Sequence, residues 1–268
     1  MVAPIAIPIP IDNPDDPRVA AFRAVKERDL AGREGVFVIE GEVVLRTAVR
    51  AGRFVVEAVL LAENRVEVLA DLALPAGTPV YAAGQAVMDA IAGFPIHRGI
   101  LALGRRGAKV AAPALLASLP PRALVLALFG IGNHDNMGGV FRNAAAFGAD
   151  AVLLARDCCD PLYRKAIRVS VGAALTVPFG WFEASDDPLV VLAGHGFAAL
   201  ALSPSGAIDL SAVQRPERAA LLLGAEGPGL DPSLLARTTA VSIPMSGGFD
   251  SLNLATTSGI ALYQLTRP

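Results

Sequence analysis

The sequence predicts an α/β protein of two domains, and three observations carry that expectation. Short strand-like apolar runs alternate with helix-like periodic ones along nearly the whole chain, the signature of layered α/β architecture. The composition is rich in Ala, Val, Leu and Gly, which suits parallel strands buried on both faces beneath small-residue helices. At 268 residues, 53% apolar and 18% charged, the chain can bury a large core or two ordinary ones.

Residues 1–11 are apolar, but Pro4, Pro8 and Pro10 break them and no basic stretch precedes them, so a secretion signal is not expected. Pro14–Leu30 predicts an opening helix whose basic face (Arg18, Arg23, Lys26, Arg28) reads as solvated. Strands follow over Gly35–Glu40, Phe54–Leu61, Thr78–Ala82 and Gly99–Leu103. Between them lie helices over Glu42–Ala51, ended by Gly52, and over Asn64–Leu72 and Gln85–Ala92. Together they predict a small domain with a mostly parallel sheet over residues 1–108. From Gly104 to Arg122 the chain is rich in Gly, Pro and Ala, and residues 109–121 within it read as a linker with a short helix at Ala114–Leu119. No acid stands between Asp89 and Asp135, while Arg98, Arg105, Arg106, Lys109 and Arg122 do, a one-sign run suited to phosphates or simply to solvation.

The second domain, residues 122–268, restarts with a buried strand over Ala123–Ile131, a polar turn at Asn133–Asn136 and a helix over Met137–Phe147. A strand at Ala151–Ala155 and a basic helix from Pro161 into a Ser170–Gly172 turn come next. Further strands are predicted at Leu175–Phe179, Ala198–Leu202 and Ala219–Leu223, and helices at Pro188–His195 and Pro232–Arg237. The chain closes with a short strand ending at Pro244, a turn at Gly247 and Gly248, and a helical run over Phe249–Leu265 with Asp250 and Ser251 placed to cap it.

The net charge of −2 and a pI near 5.9 give no overall basic field, so any contact with nucleic acid must be local. Cys158 and Cys159 are adjacent, cannot staple distant segments and lack metal-ligand spacing; they read as apolar thiols in a reducing, cytoplasmic setting. The apolar run Ala123–Ile131 is too short to span a bilayer. Neither membrane nor metal is expected.

Three glycine turns at strand ends are more than packing requires, and each could hold a small polar ligand by its backbone. In the first, Gly130 and Gly132 are followed by Asp135 where a dinucleotide fingerprint needs its third glycine. Asn136 and Arg142 instead put a neutral amide and a fixed cation at the ends of a two-turn span. The second turn, Gly224–Gly229, holds a single acid, Glu226. A nucleotide-cofactor oxidoreductase and a non-catalytic binding protein both remain open at this level.

Three segments carry a resemblance: Asn136-Met-Gly-Gly-Val-Phe-Arg142-Asn-Ala-Ala-Ala-Phe-Gly148, Leu222-Leu-Gly-Ala-Glu226-Gly-Pro-Gly-Leu230, and Ile243-Pro-Met-Ser-Gly-Gly-Phe-Asp-Ser-Leu-Asn253. They resemble the ordered motifs of the SpoU/TrmH family, RNA ribose 2′-O-methyltransferases of the SPOUT superfamily, over residue 122 to the end. Phe37-Val-Ile-Glu-Gly41 and Phe94-Pro-Ile-His-Arg-Gly-Ile-Leu-Ala102 are similar, more weakly, to the L30e-like substrate-binding domain often found ahead of it. The resemblance implies a C-terminal trefoil knot, a homodimer, and S-adenosyl-L-methionine (AdoMet) in the knot. It places Leu223, Gly224, Gly227, Ile243, Met245 and Leu252 around the cofactor, Arg142 as the catalytic arginine, and Asn136, Glu226, Ser251 and Asn253 at the ribose. Ser170 and Gly172 match a further Ser-x-Gly segment. Ribosomal RNA is the favoured substrate, with tRNA or a non-catalytic RNA-binding role as alternatives.

Methyl transfer from a sulfonium needs no metal; the hard part is the weakly acidic ribose hydroxyl. The family account makes the arginine the base, but a guanidinium does not deprotonate in proteins. Arg142 is therefore expected to act as an electrostatic clamp on the developing alkoxide or the adjacent phosphate. Arg156, Arg164, Lys165 and Arg168 are expected to gather positive charge near the crevice of a dimer partner. The chain departs from the family pattern at Ala225, where Asn or Ser is usual, at Asn133-His-Asp135, and at Leu254-Ala-Thr-Thr257.

Overall fold

The computed structural model describes residues 7–23, 35–246 and 251–267. Its strands are β1 (Ile9–Ile11), β2 (Val36–Glu40), β3 (Val55–Ala62), β4 (Val80–Ala83), β5 (Ile100–Arg105), β6 (Ala123–Leu128), β7 (Ala151–Leu154), β8 (Phe179–Trp181), β9 (Ala198–Leu202), β10 (Ile208–Asp209), β11 (Arg218–Leu223) and β12 (Thr239–Ser242). Its α-helices are α1 (Glu42–Ala51), α2 (Gln85–Ala92), α3 (Ala112–Ala117), α4 (His134–Phe147), α5 (Arg164–Val169), α6 (Pro188–Gly194), α7 (Pro232–Leu235) and α8 (Leu254–Thr266). The chain divides into two compact units, Met1–Gly107 with Asp160–Thr176, and Ala108–Cys159 with Val177–Pro268.

In the first unit the strands run β1-β4-β3-β5-β2. Only β1, β4 and β3 are parallel; β5 pairs antiparallel with both β3 and β2. The sheet is thus mixed rather than mostly parallel, because β5, entered after α2 and the Gly99 turn, runs antiparallel between β3 and β2. The prolines of residues 1–11 do not prevent β1: Pro10 sits on an edge strand, where a missing N–H is tolerated. Two predicted helices are tighter. Pro17–Phe22 and Glu63–Asp71 are 3-10 helices, and the helix expected to run to Leu30 enters residues 24–34, outside the described residues.

The segment Asp160–Thr176, read from sequence as part of the second domain, packs within the first unit. Arg164 donates to Glu40 at 2.5 Å, stacks 4.5 Å from the centre of the Phe94 ring, and both partners of the ion pair are largely buried. Arg106 and Asp160 form a second ion pair. Opposite charges this secluded are costly to separate, since each would be left buried without its partner.

The second unit holds a seven-stranded sheet in the order β10-β12-β9-β11-β6-β7-β8, parallel throughout. The β6 and β7 strands are buried along their whole length, as strands covered on both faces must be. The chain leaves β6 toward β7 and β8, then reappears on the other side of the sheet as β9, and β11 fills the gap between. Loops at the carboxyl ends of β6 and β11 therefore diverge, which leaves a crevice there.

Several boundaries shift for physical reasons. Asn133, not the turn after it, is the N-cap of α4, its side chain accepting from the Asp135 N–H at 2.8 Å, so residues 134–136 are already helical. The predicted strand at Leu175–Phe179 is a 3-10 turn over Ala173–Leu175, and the strand starts only at Phe179. The last helix begins at Leu254, capped by Asn253 rather than by Asp250 or Ser251. Gly247, Gly248 and Asp250 lie outside the described residues.

α4 and α8 pack closely. A Cβ on Gly139 would run into Ala255, and Asn143 donates to the Ala255 carbonyl at 2.6 Å and to Ser258 Oγ at 2.9 Å. Small residues on both helices let the backbones approach, and the Asn143 amide pins their register.

Candidate active site

The carboxyl ends of β9, β11 and β12 surround a cavity of about 330 Å³. Leu202, Leu223, Ile243, Met245 and Leu252 give it apolar walls, while Gly224, Gly227 and Gly229 offer backbone. Gly224 is required sterically: a Cβ there would collide with the backbone of Gly229 and Leu230. The turn closes on itself through the Gly229 N–H, which donates to the Ala225 carbonyl at 3.0 Å. Ser203, Pro204, Ser251, Asn253 and Thr257 complete the lining, and Glu226 is the one ionisable group among the described lining residues.

A second cavity of about 200 Å³ lies at the end of β6, walled by Gly130, Ile131, Gly132, Asn133 and Asn136. Ala225, Glu226 and Leu254 line both cavities, so the two adjoin. The partition is hydrogen-bonded. Asn253 Nδ2 donates to Asn136 Oδ1 at 2.9 Å and to Glu226 Oε1 at 3.1 Å. Its Oδ1 accepts from the N–H groups of Ala255 and Thr256 at 2.9 and 3.3 Å, capping α8. Asn136 is buried, so its carbonyl oxygen needs this donor.

The sequence-predicted residues divide accordingly. Leu223, Gly224, Gly227, Ile243, Met245 and Leu252 all line the first cavity, with Ser251 beside them, and Asn136, Glu226 and Asn253 meet at the partition. Arg142 stands apart. It is exposed, lines neither cavity, and forms no hydrogen bond or ion pair with the described residues. Six residues along α4 from Asn136, it lies about 9 Å further on. Ser170 and Gly172 belong to the other unit; the Ser170 hydroxyl donates to the Ile167 carbonyl and accepts from the Ala174 N–H, ending α5.

The charge expectations change more. Arg164 is spent on Glu40 and Phe94, Arg106 on Asp160, and Arg105 on Glu57 at 2.6 Å, while Lys109 lies over the Trp181 ring. Much of the basic run is therefore structural rather than free for phosphates. Behind the second cavity the Cys158 thiol donates to the Leu128 carbonyl at 3.2 Å, and burial pushes its pKa up to about 11. Among the described residues no group of three or more His, Cys, Asp or Glu is placed to hold a metal, and no helix is long and apolar enough to cross a membrane.

Leu202, Ser203 and Pro204 line the cavity without being expected to from the sequence. The available signal was the Ser-Pro turn straight after an apolar parallel strand, a carboxyl-end loop like the three that were recognised. Asn133, a turn residue on the sequence reading, stands ahead of an apolar-periodic run, and that is a cap signal.

A family model described as the SpoU rRNA Methylase family matches residues 123–263. A protein of Mycobacterium bovis, described as an uncharacterized tRNA/rRNA methyltransferase, is 40% identical over 95% of this chain and 90% of its own length. The 23S rRNA (guanosine-2′-O-)-methyltransferase RlmB of Acinetobacter baylyi is 30% identical over 76% of this chain and 85% of its own. Among solved structures, the AdoMet-bound rRNA methyltransferase of Sinorhizobium meliloti shares the fold with a TM-score of 0.82 at 22% identity, covering 96% of this chain and 97% of that one.

Proposed function

The chain belongs to the SpoU rRNA methylase family, and on that premise we propose that it transfers a methyl group from AdoMet to a ribose 2′-hydroxyl of RNA. The observation that carries this reading is the pair of adjoining cavities divided by the Asn136–Asn253–Glu226 bonds. The first cavity suits AdoMet. Its volume falls in the range of small-ligand sites, its walls are apolar, and glycine backbone stands where hydrogen bonds to a nucleoside are needed. Its described lining carries one carboxylate and no cation, which favours a ligand of net positive charge. Leu223, Gly224, Gly227, Ile243, Met245 and Leu252 would hold it.

When bound, AdoMet supplies a methyl group already activated by its sulfonium. The chain's part is alignment. Asn253 fixes the wall that the two ligands share, and holding reactants in line can supply about 7–11 kcal/mol of a barrier. The second cavity takes the ribose. Asn136 and Glu226 keep its inner wall in shape, and Ser251 stands on the cofactor side. Arg142, outside both cavities, meets the RNA backbone beside the target and stabilises negative charge as the hydroxyl passes its proton to a phosphate oxygen or water and the methyl leaves the sulfonium sulfur for the 2′-oxygen. A Lys at that position keeps the charge but loses the fork. We expect Arg142→Lys to retain no more than about a tenth of the rate and Arg142→Ala still less, measured by single-turnover methyl transfer.

Ribosomal RNA is the substrate class we favour, on the identity with a protein named for 23S rRNA. We also read the first unit as an L30e-like RNA-binding domain, the final strand-to-helix passage as a trefoil knot, and the chain as a homodimer. The dimer reading draws on α8, whose Ile260 and Tyr263 are exposed, with Phe147 against the Tyr263 ring. The deciding experiment is transfer of tritium from labelled AdoMet to total RNA, followed by mapping of 2′-O-methyl sites with and without the gene. Label in ribosomal RNA supports the proposal. Label in tRNA would replace the substrate class, and AdoMet binding with no transfer would favour a non-catalytic RNA-binding protein.

A further inference from the structure

The second cavity is walled on one side by loop, which must be held by something other than the sheet. Beyond β6 the chain runs through Phe129–Asn133 before α4 begins. The Phe129 N–H donates to the Leu223 carbonyl at 3.0 Å, and the Ile131 carbonyl accepts from the Cys159 N–H at 2.7 Å. Between these ties Gly130 adopts φ +68°, a left-handed conformation that favours glycine and bends the chain out of the strand. That N–H donates to Asp157 Oδ1 at 3.0 Å.

Asp157 stands on the turn that follows β7, closed by the Cys158 N–H donating to the Ala155 carbonyl at 3.1 Å. Its carboxylate lines neither cavity. What it controls is spacing. A Cβ on Gly130 would already lie 3.2 Å from the Ala225 Cβ, so the Gly130 turn and the wall shared by both cavities are nearly in contact. Any drift of Gly130 alters the space in which the ribose must sit.

We propose that Asp157 is a positioning residue for methyl transfer, holding the Gly130 amide so that the loop wall of the second cavity keeps its distance from Ala225. This rests on the reading of that cavity as the ribose site. Asp157 touches neither ligand, so its loss acts on the rate at saturation rather than on cofactor binding. A small misplacement at a reacting centre is amplified in rate, and one charge-assisted hydrogen bond sets the scale.

The test uses the full chain with Asp157→Ala and Asp157→Asn. At saturating AdoMet and RNA, Asp157→Ala is expected to slow single-turnover methyl transfer about tenfold. AdoMet affinity by calorimetry should stay within about twofold, and the Gly130 amide should exchange with deuterium about tenfold faster. Asp157→Asn, whose amide oxygen can accept the same bond, should recover most of the rate and the protection. An unchanged rate in Asp157→Ala, a loss that Asn does not repair, or a loss matched by weakened AdoMet binding would each overturn the assignment. A wild-type chain that binds AdoMet but transfers no methyl to RNA would instead overturn the function reading on which it stands.

Discussion

Asn253 uses both ends of its amide: the oxygen caps α8 and the nitrogen bridges Asn136 and Glu226. The two roles can be separated. Asn253→Asp keeps an acceptor for the cap but loses both donations and sets a second carboxylate beside Glu226. We expect at least a tenfold loss in methyl transfer and about 1–3 kcal/mol of destabilisation, because the buried Asn136 carbonyl loses its donor. Asn253→Ala also loses the cap and should cost about 1–2 kcal/mol more, read by urea unfolding. Cys158 makes a different prediction. Its raised pKa keeps the thiol neutral, so alkylating reagents at pH 8 should leave it unmodified in the folded chain and modify it on denaturation, by peptide mass mapping. The folded state holds this proton more tightly than the unfolded one, so the contribution is complete below the ordinary thiol pKa and fades as pH rises toward about 11. That such residues would gather around the cavities was legible through the motifs they sit in. Arg142 was readable as a candidate but not as a placed group, since its distance from the cavities depends on where α4 begins.

At the scale of elements, the contact of α4 with α8 depends on Gly139. Ala is the better helix former by about 1 kcal/mol, yet its Cβ would run into Ala255. Overpacking of this sort costs about 1–3 kcal/mol, so Gly139→Ala should be net destabilising. Ala255→Gly in the same chain should recover part of the loss, measured as a coupling in a double-mutant cycle. Helices α1 and α2 were legible to the residue because Gly52 and Gly93 end them in the left-handed conformation, and α4 was legible at its far end through Gly148. Strands β6, β9 and β11 announced themselves as uninterrupted apolar runs. What could not be read was pairing direction: nothing in Ile100–Arg105 says that it lies antiparallel between β2 and β3, because apolar patterning reports burial rather than partners. β1 was hidden by its own prolines, and β10 was too short to carry a pattern.

At the scale of the whole molecule, the sequence suggested a cut near residue 108, and the backbone crosses between the two units there, but also at 159–160 and 176–177. No periodicity could reveal the last two crossings, since they follow from where Arg164 finds Glu40, a contact between residues distant in the chain. The crossings have a measurable effect. A protease site inserted after Gly107, where no heavy atom crowds the backbone, should give two fragments that co-elute on gel filtration, because the C-terminal piece still carries Asp160–Thr176. Changing Arg106 and Arg164 together to Ala should weaken that hold by several kcal/mol and let the pieces part. The same arrangement bears on anyone who would swap front modules among such enzymes to redirect them. A transplant that ends at residue 107 would leave Glu40 stranded without its cation, so the donor must lend residues 160–176 as well, a patch that gene order assigns to the other half.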